Sequence, residues 1–326
     1  MARRFTYNLE MIKSDNVSFI SNVNGVKRQT LLLSEKLQFE PINDLSFYDL
    51  KLVLSKKKIL IDDYISVYNL FKLFLILILG KKKELIVYSF EVYYIDLSSY
   101  SFFSKFNTFK IFLGGLIKCI ILRTFIKLYS KKIIVCSELR KKYIEKIYTD
   151  QEVLFLNNRV YKNDNLSLEE IKEKNFFFIA GSIGNEIDFE KLCIFCKKEN
   201  YILIITAKIN DKKIIYKYSD IIISKGNMNK DKVFSYINKA SACACFYNND
   251  TINQKYAASL KLYEYMLFNK KIIVSNNDGS LSALKNNNYK KYIEVNKLNI
   301  DNLKALENYP DIKVITYEDE LSSFKI

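Results

Sequence analysis

The chain has 326 residues, 49% hydrophobic and 27% charged. That is enough apolar material for about two domains, and it excludes disorder, a collagen-like fibre and a disulfide miniprotein. There is no histidine, so no Ser-His-Asp or Cys-His nucleophile can form, nor any His-ligated zinc or iron.

A formal charge of +15 taken whole points to nucleic acid or an anionic membrane. The composition tempers that reading, because abundant Lys, Asn, Ile, Tyr and Phe beside 2 Pro and 8 Gly are what an AT-rich genome imposes on any chain. The distribution is more telling. Residues 1–163 hold 27 Lys/Arg and 15 Asp/Glu, whereas residues 164–326 hold 24 and 21. Codon bias acts on both halves alike, so the asymmetry needs a physical reason.

In chain order, continuous apolar runs predict buried strands at Val17–Ile20, Ile59–Ile61, Leu85–Tyr88, Ile133–Cys136 and Val153–Leu156, with helices at about 64–79, 106–130 and 137–148. The polar stretch KNDNLSLEEIKEKN reads as a linker. Beyond it, strands are predicted at Phe176–Ala180, Ile202–Thr206, Ile221–Ile223, Ala242–Cys245 and Ile272–Ser275, with helices near 187–199, 230–240 and 259–268. Apolar strands alternating with helices mean parallel sheets covered on both faces. Two Rossmann-like domains are expected, over residues 1–163 and 164–326.

The run LFKLFLILIL, Leu70 to Leu79, is too short to span a bilayer. Between Phe102 and Lys142 there are ten Lys/Arg and one acid, Glu138. Within that segment Lys110, Lys118, Arg123 and Lys127 lie among large apolar residues, as in a helix that rests in a lipid interface. The competing reading is a covered α/β helix with snorkelling lysines. The lipid-facing reading is the expectation taken forward.

The six cysteines include the close pairs Cys193/Cys196 and Cys243/Cys245. A four-thiolate zinc site is conceivable, but one pair lies on the apolar side of FEKLCIFCKKE and the other in a short apolar strand. Buried thiols are the favoured reading, and no metal is expected. No secretory signal is visible, so a reducing cytosol fits.

The richest segment is SLKLYEYMLFNKKIIVS, Ser259 to Ser275, which enters a helix from a polar loop and leaves into a strand. A helix N-terminus suits phosphate, Lys261 adds a point charge, and Glu264 on the same face can accept two hydroxyl hydrogen bonds from a diol. Taken alone, Glu264 is also explained as a complement to the helix dipole.

This segment resembles the donor-nucleotide motif of glycosyltransferases with the GT-B fold, retaining family 4 above all, with Asn269 and Lys271 where Gly and Pro are usual. FFFIAGSIGNE, Phe176 to Glu186, is similar to the strand and glycine loop that open the donor domain of that family. KIIVCSELRK from Lys132, followed by LFLNN from Leu154, resembles the end of its acceptor domain, and IISKGNM from Ile222 looks like its base-lining loop. The resemblance implies that Glu264 holds a ribose, and that Lys261 with the Ser259 and Leu260 N–H groups holds a diphosphate. Gly181 and Ser182 would admit that phosphate, and Asn227 would lie by the base. Two GT-B domains facing across a cleft are implied, with donor binding in 164–326 and a membrane-facing acceptor domain in 1–163.

The activity implied is transfer of a sugar from a nucleoside-diphosphate donor to a hydroxyl of a glycolipid or cell-surface polysaccharide precursor, with retention. No metal or other cofactor would be needed, and the chain would lie peripherally on the cytoplasmic face of an anionic membrane. Nucleic acid is not an expected partner, because no recognition motif is present. There are departures from the family. Tyr256 stands where a second acid is common, eight positions before Glu264, and Phe90 stands where histidine is common, leaving Glu91 as the acceptor-side or catalytic carboxylate. The N-terminal residues resemble the first helix of the family rather than its first strand, and YEDELSSFKI shows no long closing helix. A catalytically degenerate homologue that binds membrane or nucleotide without turnover is the alternative.

Overall fold

A computed structural model describes residues 16–19, 24–42, 56–64, 66–79, 84–90, 109–161, 167–181, 183–206 and 212–325. The chain forms two compact units. One runs to Val135 and includes Lys141–Phe155; the other comprises Cys136–Arg140 and Leu156–Lys325.

In the first unit, strands β1 (Asn16–Phe19), β2 (Glu40–Ile42), β3 (Lys58–Asp62), β4 (Glu84–Ser89), β5 (Ser130–Val135) and β6 (Glu152–Phe155) form one sheet in the order β2-β1-β3-β4-β5-β6. Every pairing is parallel. Its helices are α1 (Asn24–Lys36), α2 (Val67–Leu79), α3 (Phe109–Tyr129) and α4 (Glu138–Ile147). The apolar runs Ile59–Ile61, Leu85–Tyr88 and Ile133–Val135 are buried, as strands covered on both faces must be. Strand β2 escapes a periodicity reading because it is three residues long and contains Pro41, which lacks a ladder N–H and is tolerated at a sheet edge. The segment before β1, on which the expectation of a missing first strand rests, lies outside the described residues.

In the second unit, β7 (Phe176–Ile179), β8 (Ile202–Ile205), β9 (Ile222–Ser224), β10 (Ala242–Cys245), β11 (Ile272–Val274) and β12 (Tyr292–Glu294) take the order β12-β11-β10-β7-β8-β9, again all parallel. The helices are α5 (Glu186–Lys198), α6 (Lys212–Lys217), α7 (Lys230–Lys239), α8 (Ile252–Lys255), α9 (Leu260–Leu267), α10 (Asp278–Asn286), α11 (Ile300–Ala305) and α12 (Tyr317–Ser323). The two-residue period of β7 divides the core. Phe176 and Phe178 pack with Phe234, Leu262 and Met266 on one face. Phe177 and Ile179 pack with Phe189, Leu192 and Cys196 on the other.

Asparagine does the work that glycine and other caps do elsewhere. Asn185, Asn229, Asn277 and Asn299 each accept a backbone N–H at the start of α5, α7, α10 and α11. Asn175, Asn200, Asn269 and Asn288 hold left-handed φ of 51, 58, 50 and 52°. Asn269 ends α9 in this way, with Lys270 N–H donating back to the Tyr265 carbonyl at 3.1 Å.

The carboxyl ends of β7 and β10 are tied by one side chain. Ala180 N–H donates to the Tyr265 hydroxyl at 3.0 Å, and that hydroxyl donates to the Ala244 carbonyl at 3.3 Å. Tyr265 is fully buried. Tyr265→Phe would strand a buried donor and a buried acceptor, and a loss of about 1–3 kcal/mol is expected by denaturant unfolding. A loss indistinguishable from that of the exposed control Tyr216→Phe would show that the bridge contributes nothing.

Candidate functional site

In open α/β sheets, ligands bind outside the carboxyl ends of the strands where the strand order reverses. In the second unit that point lies between β7 and β10, and most of the expected donor residues meet there. Gly181 follows β7 with φ +68°, the left-handed region that favours glycine, and a Cβ there would stand 2.7 Å from Cε of the flexible Lys261 side chain. Its N–H donates to Thr206 Oγ1 at 2.9 Å. The N–H of Gly184 donates to the Phe246 carbonyl, also at 2.9 Å, which draws the glycine loop onto the end of β10.

Ser259 is the N-cap of α9, yet its side chain makes no capping bond. Its hydroxyl instead shares a 3.2 Å hydrogen bond with the Tyr247 hydroxyl. Leu260 opens the helix, and Lys261 Nζ stands 5.7 Å from the Tyr247 ring centroid. First-turn N–H groups, a lysine and a glycine loop together favour an anion.

One turn on, the Glu264 side chain retains 12% exposure, and its Oε1 lies 3.8 Å from Lys230 Nζ. Lys230 in turn lies over the Tyr161 and Phe234 rings, at 5.3 and 5.0 Å. Burial pushes the Glu264 carboxyl above its ordinary range, and Lys230 and then Lys261 oppose that shift. Asn227 is exposed in the loop that joins β9 to α7. Ser182 and Glu91 lie outside the described residues.

Sequence reasoning missed Lys230, Tyr247, Thr206 and the Tyr265 bridge. Lys230 had a signal, since it lies two residues beyond the quoted loop around Asn227. The other three act through the strand ends that they join, which spacing does not reveal. The loop before α9 is also fixed: Asn277 Nδ2 donates to the Asn248 and Gln254 carbonyls at 2.9 and 3.1 Å, and Ser137 Oγ donates to the Tyr256 carbonyl at 2.9 Å.

A second polar cluster was also missed. It sits in the first unit, where the order reverses between β1 and β3. Asp62 and Asp63, which end β3, are fully buried. Asp62 accepts from Thr30 Oγ1 at 3.3 Å and from Tyr64 N–H at 3.0 Å, and Asp63 accepts from Ser89 Oγ at 3.0 Å. The signal was two successive acids closing an apolar strand.

Lys118 belongs with this cluster. Its position among buried Cys119, Leu122, Phe125 and Ile126 turns it inward, and it is 8% exposed. Burial lowers its pKa, against the opposing pull of Asp63 and Asp62. The expectation that Lys118 faces lipid is therefore corrected: its side chain is buried, and Asp63 and Asp62 offset part of the cost. Arg123 is half-buried and Lys127 exposed, whereas the side chain of Lys110 lies outside the described residues.

All six cysteines are buried free thiols, and burial pushes Cys193 up to about 12 and Cys245 to about 11. Among the described residues no cluster of three or more Cys, Asp or Glu could hold a metal, and no helix is long and apolar enough to cross a membrane.

No family model matches the chain, and no curated protein matches it. Solved structures do. A glycosyltransferase from Rickettsia africae ESF-5 is 12% identical, with a TM-score of 0.55 over 94% of this chain and 93% of that one. An alpha-glucosyltransferase in complex with UDP and a 13-mer DNA is 13% identical, with a TM-score of 0.53 over 94% and 93%. With the two parallel sheets, this likeness establishes a GT-B fold of two Rossmann-like domains.

The Glu264 environment makes a pH prediction. A carboxyl whose folded pKa lies above its unfolded value binds its proton more tightly when folded, so stability falls as pH rises from the ordinary carboxyl range to the raised value. Glu264→Gln removes that loss. The melting temperature of the variant minus that of the parent should therefore grow as pH rises from about 4 to 7. A difference independent of pH would mean that Lys230 and Lys261 fully offset the burial.

Proposed function

We propose that the chain is a glycosyltransferase that moves a sugar from a nucleoside-diphosphate donor to a hydroxyl of a glycolipid or cell-surface polysaccharide precursor, with retention. The observation that carries this reading is the meeting of Gly181, Lys261 and the N-terminus of α9 with Glu264 at the β7/β10 switch point. An anion-holding group and a diol-holding carboxylate one turn apart suit the diphosphate and ribose of one nucleotide.

In this reading Lys261 and the Ser259 and Leu260 N–H groups take the diphosphate, and Ser182 lies beside it. Glu264 accepts two hydrogen bonds from the ribose hydroxyls, and Lys230 opposes the upward pull of burial on its carboxyl. The Lys225–Asn229 loop, with Asn227, lines the base. As the glycosidic bond breaks, negative charge gathers on the departing diphosphate, where fixed N–H dipoles and Lys261 stabilise it without a metal. An acceptor hydroxyl then attacks the oxocarbenium-like carbon and gives its proton to an oxygen of the departing diphosphate. Residues 1–163 supply the acceptor side, with Glu91 as its carboxylate and with Arg123 and Lys127 towards an anionic, cytoplasmic membrane face.

A second reading, a degenerate homologue that binds without turnover, draws on two positions. Phe90 packs its ring 4.2 Å from that of Tyr88 where histidine is common in the family, and Tyr256 replaces the second acid. Release of free nucleoside diphosphate from the stabilising donor would separate the two readings.

The test is a thermal-shift panel of UDP-, GDP- and other sugar nucleotides. One of them, at about 100 times its Kd, should stabilise the protein by about 2.7 kcal/mol. Glu264→Ala should abolish that gain, and Lys261→Ala should weaken binding at least about tenfold, as expected for a charge-assisted bond worth about 1.5–3 kcal/mol. Stabilisation that survives Glu264→Ala would remove the ribose assignment.

A further inference from the structure

Helix α2 breaks the rule that the outer face of a covering helix is polar. Its inner residues Leu70, Leu73, Ile76 and Leu77 are buried in the core. Its outer face, at helical spacing, is Tyr68, Phe71, Leu75 and Ile78. Helix α3 packs beside it and adds Ile117, Ile120 and Leu128. These seven side chains are 40–68% exposed, and they are the majority of the thirteen exposed large hydrophobics among the described residues. The contrast with α4 is direct, because that helix turns Lys142, Glu145 and Lys146 outward.

The charges on the two helices are of one sign. Neither α2 nor α3 contains an acid, and Lys72, Arg123 and Lys127 accompany the apolar face. Lys72 Nζ stands 4.0 Å from the Tyr68 ring centroid. An apolar patch of this kind marks an interaction surface. Its basic company selects the partner: an anionic lipid interface satisfies both components, the aliphatic groups entering the acyl boundary and the cations meeting headgroups. A second copy of the chain fits worse, since a two-fold contact would set like charges against each other.

We propose that the outer face of α2, extended by Ile117, Ile120 and Leu128 of α3, inserts into the interfacial layer of an anionic bilayer. At thirteen residues α2 is about 20 Å long, so it lies in the interface and does not cross it. The proposal rests on the reading of a membrane-borne acceptor and deepens it. The apolar side chains of α2, rather than the lysines of α3, carry the partition, and Lys118 takes no part.

The experiment is sedimentation with vesicles of phosphatidylcholine alone and with about one third phosphatidylglycerol, at low and high salt. The parent should bind the mixed vesicles and retain part of that binding at high salt. Phe71→Glu with Leu75→Glu, both at exposed positions, should weaken partition at least about tenfold, and Arg123→Glu with Lys127→Glu should chiefly remove its salt-sensitive part. Partition unchanged by Phe71→Glu/Leu75→Glu would overturn insertion by α2. So would a parent that ignores vesicles and forms a dimer that the same double variant dissolves. Donor-induced thermal shifts of each variant report on the sugar-transfer reading separately, since both pairs lie in the first unit and the proposed nucleotide residues in the second.

Discussion

The candidate site of the second unit depends on one buried hydroxyl. Strands β7 and β10 pair only through Phe177, Phe178, Ala242 and Cys243, and beyond that their ends are bridged by Tyr265. A crevice at a switch point needs the strands to part, but parted strands expose a backbone donor and acceptor in a dry interior. The Tyr265 hydroxyl satisfies both at once. The same side chain fixes α9 in rotation and height, and α9 carries Lys261 and Glu264. Opening the crevice and placing its charges are thus one event.

Lys230 bears on the same balance. A carboxylate held at 12% exposure is costly unless cations are near, and Lys230 and Lys261 both lower that cost.

The fold was legible because its strands are continuous apolar runs that admit little ambiguity of period. Several other elements were not: β2, β12, α6, α8 and α11 have three to six residues, too few to show a period, and α1, α10 and α12 were not anticipated either. Glycine and proline, the usual punctuation, are scarce, and asparagine replaces them at both helix ends. Asn269 shows that such a replacement keeps the conformation, with φ at 50° where the resembled motif carries glycine. In the site, Lys261 and Glu264 were legible from their order in one motif and Gly181 from a second. Tyr247, Thr206 and Tyr265 were not, since their roles arise from strand ends that the topology alone brings together. The Lys118 misreading has a similar cause. In a helix with apolar residues on every face no hydrophobic contrast tells the inner face from the outer, so only the burial of Cys119, Leu122 and Phe125 settles which way Lys118 points.

Net charge and site charge prove to be separate properties of this chain. The basic half of the sequence holds the buried pair Asp62 and Asp63 at its own switch point, with Lys118 drawn in. The half near neutrality holds the cationic arrangement of Lys261 and Lys230. Asp62 and Asp63 are fully buried, where charge acts strongly, while the surplus lysines stay in water, where salt screens them. A surplus of that kind sets the distant partner, and on α2 and α3 it acts only together with an exposed apolar face. The sign of the whole chain therefore speaks about surfaces, and the chemistry has to be read one buried group at a time.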